Sequence, residues 1–193
     1  MGNKEDLLAA ARTCIYERGF AATTARDIAT TAGVSLAAIG YHFGSKDRLL
    51  TEAFTDETGR VIGDDLERRI KATAGQSAGA AFPQVWEGIA ELFDRNRDVL
   101  VASMENVVRI YRTPSEQSRM GEMHQIAVSE IADLVAESYP GLDGSRARAV
   151  AELYFVILNG LVMQWMSSPG AEVPTGARLG EAISALTSTE RPG

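Results

Sequence analysis

Cysteine occurs once in this 193-residue chain, at Cys14, and histidine twice, at His42 and His124. A single cysteine excludes an intramolecular disulfide and suits a reducing compartment. With no base nearby and no CxxC partner, Cys14 reads as a small buried hydrophobe on the first helix. The two histidines stand far apart, so no pair has zinc-ligand spacing, and HExxH is missing. A glycine-rich phosphate loop and a GxSxG turn are missing too, so no enzymatic activity, no cofactor and no metal are expected. No N-terminal run has the charged start, apolar core and small-residue cleavage site of a signal peptide. The longest apolar stretch, residues 153–163, is interrupted by Asn159 and falls short of the roughly 20 residues that a membrane helix needs. The chain is therefore expected to be soluble and cytoplasmic, with no membrane partner.

What is abundant is helix-forming residues. The chain is 45% hydrophobic with only 7% aromatics, alanine is common, and apolar residues recur at helical spacing along most of its length. No strand and no internal repeat stand out. The expected fold is all-α, in two parts over residues 1–50 and 51–193. The net charge of −7 is unevenly spread. Residues 1–50 hold six basic and five acidic side chains, whereas residues 51–193 hold thirteen basic and twenty-one acidic. The acidity sits outside the first fifty residues, and their balance of +1 is a weak electrostatic footprint for a nucleic-acid binder.

The most specific stretch is TTARDIATTAGVSLAAIGYHFGSKDRLL, residues 23–50. Thr24 and Asp27 form a capping box that starts a helix at Ala25. Gly33 supplies the left-handed residue that ends it. Ser35 is placed to cap a second helix running to Phe43, Gly44 to stop it, and Ser45 to cap a third. Two helices around a glycine-containing turn make a helix-turn-helix, whose second helix enters the major groove. At 100° per residue Ile39, Phe43 and part of Leu36 face inward, while Ala37, Ala38 and Tyr41 face outward with Gly40 and His42 beside them. Short helix pairs also occur as plain hairpins inside helical cores, so the hairpin by itself leaves both readings open.

Further on, Asn3 with Asp6 can cap a first helix closed by Gly19. Ser45 to about Lys71 reads as one helix about 40 Å long, followed by an Ala/Gly-rich linker over residues 73–81. Phe82, Val85, Trp86, Ile89, Leu92 and Phe93 mark one amphipathic helix. Others follow over about 98–112, 115–138, 146–166 and 175–186, the helix over 146–166 being apolar on nearly every side. That helix demands a covering surface, and Gly160 permits a close helix approach. Trp86, Phe93, Met104, Tyr111, Met120, Met123, Phe155, Asn159 and Met163 form the group most like a pocket, with apolar walls and a few polar groups. Residue by residue, a plain core role with Asn159 bonded to a backbone carbonyl is the simpler account of them. His124 reads as a surface or core histidine.

Residues 4–54 resemble the DNA-binding domain of the TetR family of bacterial transcriptional regulators. The matching pieces are ERGFAATT before the hairpin, IATTAGVSLAAIGYHF across it and GSKDRLL opening the next helix, together about a quarter of the chain. Where many members carry an aromatic, this chain has Gly40, followed by Tyr41 and His42. The resemblance implies a repressor that binds a palindromic operator as a homodimer, through a four-helix interface of the last two long helices. It also implies a ligand cavity in the body, so that residues 1–50 are expected to be a helix-turn-helix DNA-binding domain and residues 51–193 a helical ligand-binding and dimerisation domain. Phosphate contacts are expected from Thr24, Tyr41 and Lys46. Ala25 and His42 are expected to flank the DNA, and Arg26, Ser35, Leu36, Ala37 and Ala38 to face base edges. Alanine and leucine cannot donate hydrogen bonds, so readout should lean on thymine methyls and groove shape. The expected partners are double-stranded operator DNA, a small apolar or aromatic effector and a second copy of the chain. The alternative is a helical small-molecule binding module that does not bind DNA; a helical hydrolase lacks any nucleophile–base pattern.

Overall fold

The computed structural model describes residues 2–168, 170 and 172–188, with the side chains of residues 2, 3 and 115 outside the described set. The cap expected at Asn3 therefore lies outside it. Among the described residues every regular element is helical. The chain divides into two compact units, one made of Met1–Val61 and Asn96–Gln117, the other of Ile62–Arg95 and Ser118–Gly193.

In the first unit, α1 (Gly2–Ala22) is followed by α2 (Ala25–Thr31), α3 (Ala37–Phe43), α4 (Lys46–Thr58) and α8 (Arg97–Tyr111). Leu7, Ala11, Cys14, Ile28, Ile39, Phe43, Leu50 and Phe54 are buried in one core, with the Phe20 ring tilted against Phe54 at 4.9 Å between ring centroids. Cys14 lies inside this core as the sequence expects, 3.5 Å from the Thr31 hydroxyl. A polar cluster adds to the apolar packing of α4 on α8. The Arg109 guanidinium donates to Asn106 Oδ1 at 2.9 Å, to Glu116 Oε2 at 3.0 Å and to the Thr51 hydroxyl, which itself donates to Glu116 Oε2 at 3.0 Å. Both Thr51 and Asn106 are buried, so each bond spares a polar group the cost of lying unpaired.

The helix expected over 45–71 forms, but not as a uniform α-helix. A π-helical turn, Gly59–Gly63, separates α4 from α5 (Asp64–Ala72). Glycine at both ends is consistent with that departure, because it resists widening of the turn least.

In the second unit, α5 is followed by α6 (Ala78–Trp86) and α7 (Ile89–Arg95), then by most of α9 (Pro114–Ser138), α10 (Gly144–Ser167) and α11 (Gly176–Thr187). The single helix expected across Phe82 to Phe93 is in fact two. Glu87 is extended and Gly88 takes φ +66°, so the helical ladder stops after Trp86 and restarts at Ile89. The expected linker is shorter as well, because Ser77 caps α6 through a bond from the Ala80 amide. Helix α11 lies directly on α6. A Cβ at Gly176 would stand 2.6 Å from the Glu87 nitrogen and 2.9 Å from the Trp86 carbonyl carbon, and one at Gly180 would stand 2.5 Å from Pro83 Cγ. Two glycines one helical turn apart thus allow a close crossing, Gly176 on the backbone of α6 and Gly180 on the Pro83 ring. The Glu87 carboxylate also accepts from the Ala177 amide at 3.3 Å, satisfying a free donor of the first turn of α11.

Helix α10 is the one segment among the described residues that is long and apolar enough to cross a membrane, with mean hydropathy 1.4 over its most apolar window and 28% of that window buried. The sequence run that fell short of a span becomes long enough once the flanking helical residues are counted. Its inward side carries Ala147, Ala151, Tyr154 and Leu161, and its outward side carries Leu153, Val156 (66% exposed) and Met163.

Candidate nucleic-acid interface and effector site

The sequence places the hairpin by local bonds, and these are present. The Thr24 hydroxyl accepts from the Asp27 amide at 3.2 Å, while the Thr24 amide donates to Asp27 Oδ2 at 3.0 Å. Gly33 turns the chain at φ +66°, and Gly44 closes α3 at φ +77°. Ser45 caps α4 by accepting from the Arg48 amide at 3.1 Å. One cap differs from expectation. Helix α3 begins at Ala37 with Leu36 at the cap position and no side-chain cap bond, and Ser35 contributes only its carbonyl, to the Ala38 amide at 3.0 Å. Leu36 therefore precedes the inward face of α3 rather than sharing it, and its side chain is 51% exposed.

Ile39 and Phe43 hold α3 on the core, and Tyr41 projects outward with 86% exposure. Arg26, Ser35 and Ala37 are exposed, and Ala25, Ala38, His42 and Lys46 are half-buried. The His42 ring stands edge-on to Tyr41 at 4.9 Å. Two of the expected phosphate ligands are already engaged. The Thr24 hydroxyl gives its single proton to Asp27 Oδ2 at 2.6 Å, so both of its donors go to one carboxylate. Lys46 Nζ donates to the Thr23 carbonyl at 2.9 Å, which spends one of its three protons and leaves two. The Thr24 bonds, and the Arg18 ion pair at 3.0 Å, hold the Asp27 carboxyl below its ordinary range. A contact from the Thr24 hydroxyl to DNA needs this box to open, whereas one from Lys46 does not.

The nine residues grouped as a pocket fall into both units. Met104 and Tyr111 belong to the first, where Tyr111 is 79% exposed; the other seven belong to the second. Within the second unit Trp86 and Phe93 are fully buried, Met120, Met123 and Phe155 half-buried, and Asn159 and Met163 exposed. Asn159 Nδ2 donates to the Phe155 carbonyl at 2.7 Å, the back-bond weighed for it from sequence. Phe93 faces Trp165, whose indole donates to Asp94 at 3.1 Å, and Phe155 faces His124 at 5.1 Å.

Sequence reasoning missed the aromatic group around Trp86. Its indole meets the Tyr154 ring edge-to-face at 5.4 Å, and Phe82 lies 5.9 Å from Tyr154. Thr73 and Tyr139 join them through a buried hydroxyl bond of 2.7 Å. The Thr73 proton goes to the Ile70 carbonyl at 2.9 Å, so Tyr139 must be the donor in that bond. Burial, and after it the neighbouring Tyr139 hydroxyl, push the Tyr154 phenol far above its usual range. A tyrosine at the inward spacing of α10 was the available signal for Tyr154. Nothing local marks Thr73, whose partner lies 66 residues away. Among the described residues no group of three or more His, Cys, Asp or Glu is placed to hold a metal ion.

Residues 7–53 match the model of a family described as bacterial regulatory proteins, tetR family. The HTH-type transcriptional repressor KstR2 of Rhodococcus jostii (strain RHA1) is 43% identical over 65 residues, 34% of this chain and 29% of that protein. KstR2 of Mycolicibacterium smegmatis is 40% identical over 53 residues, 28% of this chain and 26% of that protein. The chain thus matches less than a third of the length of these curated relatives. The crystal structure of the TetR family repressor AlkX from Dietzia sp. strain DQ12-45-1b, implicated in biodegradation of n-alkanes, shares the fold along nearly the whole length. Its TM-score is 0.66 at 19% identity, covering 95% of this chain and 94% of that one.

Proposed function

We propose that this chain, which belongs to the TetR family of bacterial regulatory proteins, is a DNA-binding transcriptional repressor that acts in the cytoplasm and is released by a small molecule. The observation that carries the reading is the outward face of α3. Ile39 and Phe43 anchor a slim helix behind a capped α2 and a glycine turn, and Leu36, Ala37 and Tyr41 stay open. A buried hairpin with only a structural role has no reason to leave a phenol and a leucine uncovered together on its second helix. Residues 1–50 carry DNA binding in this reading, with Lys46 and Tyr41 on phosphates and Leu36, Ala37 and Ala38 against base edges. Repression is supported by the two KstR2 proteins, which are repressors.

Residues 51–193 hold the effector and join two copies. Leu153, Val156, Gly160 and Met163 recur at helical spacing as one outward stripe on α10, and among the described residues nothing outside the adjoining stretch of α10 lies within 4 Å of a Cβ built at Gly160. A second copy covering this stripe accounts for both facts. A two-fold dimer presents two α3 helices, so half-sites lie ~34–36 Å apart or at multiples of that spacing. An effector releases DNA only by binding the other conformation better, typically by about 1–3 kcal/mol, and operator DNA weakens its binding by the same factor.

The test is selection of bound sequences from a random DNA library with the full chain. An enriched inverted repeat supports the reading, and recovery of no preferred sequence at moderate salt overturns it.

A further inference from the structure

The Trp86 indole is fully buried, and its Nε1–H finds no hydrogen-bond partner among the described residues. The Tyr154 hydroxyl beside it also lacks a well-formed bond. The two are not equivalent. A hydroxyl turns about its C–O bond, and the Tyr139 oxygen, whose own proton is given to Thr73, faces Tyr154 as a ready acceptor. An indole N–H is a donor only and cannot turn. Trp86 is therefore the true orphan of the cluster, and leaving such a donor unpaired is costly enough that native structures contain few.

Backbone movement cannot relieve it either, because the end of α6 is held from two sides. The Arg69 guanidinium binds the carbonyls of Val85 and Glu87, bracketing Trp86, and Gly176 of α11 packs on the backbone of Trp86 and Glu87. The indole is thus fixed beside the rings of Phe82 and Tyr154. The surroundings also constrain charge. Arg69, the cation that holds the end of α6, already serves Asp65 and the two carbonyls, and a carboxylate entering among these rings would lose its water.

We infer that the Trp86 indole N–H is the polar anchor of the effector site, and that the site takes a neutral, largely aromatic molecule bearing one hydrogen-bond acceptor, such as a ketone or ester carbonyl. This rests on the effector-released regulator proposed above and names the chemistry of its ligand. Neither orphan atom touches solvent in this conformation, so entry requires a ring of the cluster to swing aside.

Two probes of nearly equal shape test it: 2-acetylnaphthalene, which carries the carbonyl, and 2-ethylnaphthalene, which does not. Each is titrated into the uniformly 15N-labelled full chain. The two indole signals, from Trp86 and Trp165, are assigned with Trp165→Phe. The ketone is expected to bind about 3- to 10-fold tighter than the hydrocarbon, the worth of one net hydrogen bond, and to move the Trp86 indole proton downfield. In Trp86→Phe the two probes should bind equally, and in Tyr154→Phe, which keeps the ring, the preference should persist. Equal binding of both probes to the parent overturns the inference. So does ketone binding that leaves the Trp86 proton in place, as a donor resting on the Tyr154 ring face would give, or failure of both probes to bind at millimolar concentration. A successful operator selection alongside any of these results removes the site and leaves the repressor standing. A failed selection with the expected probe results does the reverse.

Discussion

The contact between α11 and α6 leaves no room for a methyl group, and its size can be worked from the structure. At Gly176 an added Cβ would meet the Glu87 nitrogen at 2.6 Å and the Trp86 carbonyl carbon at 2.9 Å, and would stand closer still to the Pro83 carbonyl oxygen. Favourable carbon contacts lie near 3.5–4.0 Å, so the helices must part by roughly 1–2 Å. All three opposing atoms belong to backbone, and Arg69 holds the carbonyls of Val85 and Glu87. The opposing helix end therefore cannot give way as a flexible side chain would. Overpacking of this kind costs about 1–3 kcal/mol, and in a chain of this size 1 kcal/mol moves the melting temperature by about 2–4 °C. Gly176→Ala is thus expected to lower Tm by about 2–12 °C. Gly121→Ala is the matched control. Gly121 lies inside α9, exposed, and among the described residues nothing outside the adjoining stretch of α9 lies within 4 Å of a Cβ there, so alanine there gains helix propensity of roughly 0.5–1 kcal/mol and should raise Tm slightly. Thermal denaturation followed by circular dichroism at one protein concentration compares the two directly. A Gly176→Ala protein that melts with the parent or above it would refute the close crossing.

Gly160→Leu should split the dimer without unfolding the protomer, because among the described residues nothing outside the adjoining stretch of α10 lies within 4 Å of a Cβ there; light scattering at low micromolar concentration checks this, and an intact dimer removes the α10 stripe from the interface. Lys46→Ala should weaken binding to all DNA sequences alike and flatten the salt slope by about one; an unchanged slope in titrations across salt concentrations takes Lys46 off the phosphates. Asp27 has its folded pKa lowered by the Thr24 bonds and the Arg18 pair, so its contribution to stability is full above the unfolded value of about 3.9 and fades as pH falls through the lower folded value. The stability gap between parent and Asp27→Asn in urea melts should therefore be constant from pH 7 to pH 5 and shrink towards pH 3. A gap that persists at pH 3 would sink this account.

The hairpin was legible in the sequence because it is built from short-range bonds. The Thr24–Asp27 box, the glycines at 33 and 44 and the Ser45 cap each engage residues three or four apart, and side-chain chemistry decides them before any tertiary contact forms. The 100° periodicity likewise sorted Ile39 and Phe43 from Ala37 and Tyr41, since one side of an amphipathic helix must find a core. Tertiary structure decided what depends on a partner far along the chain. Periodicity could not see that α6 ends at Trp86, because Ile89 and Phe93 keep the apolar register while Gly88 takes φ +66° beside the incoming α11. Lys46 meets the carbonyl of Thr23, Thr51 meets Glu116 across 65 residues and Thr73 meets Tyr139 across 66. Composition marked Trp86 as a wall of a pocket. That its N–H finds no acceptor among the described residues, while the Tyr139 hydroxyl bonds Thr73, follows only from where the packed helices bring those rings, because a polar group's partners are set by geometry that residue type alone does not carry.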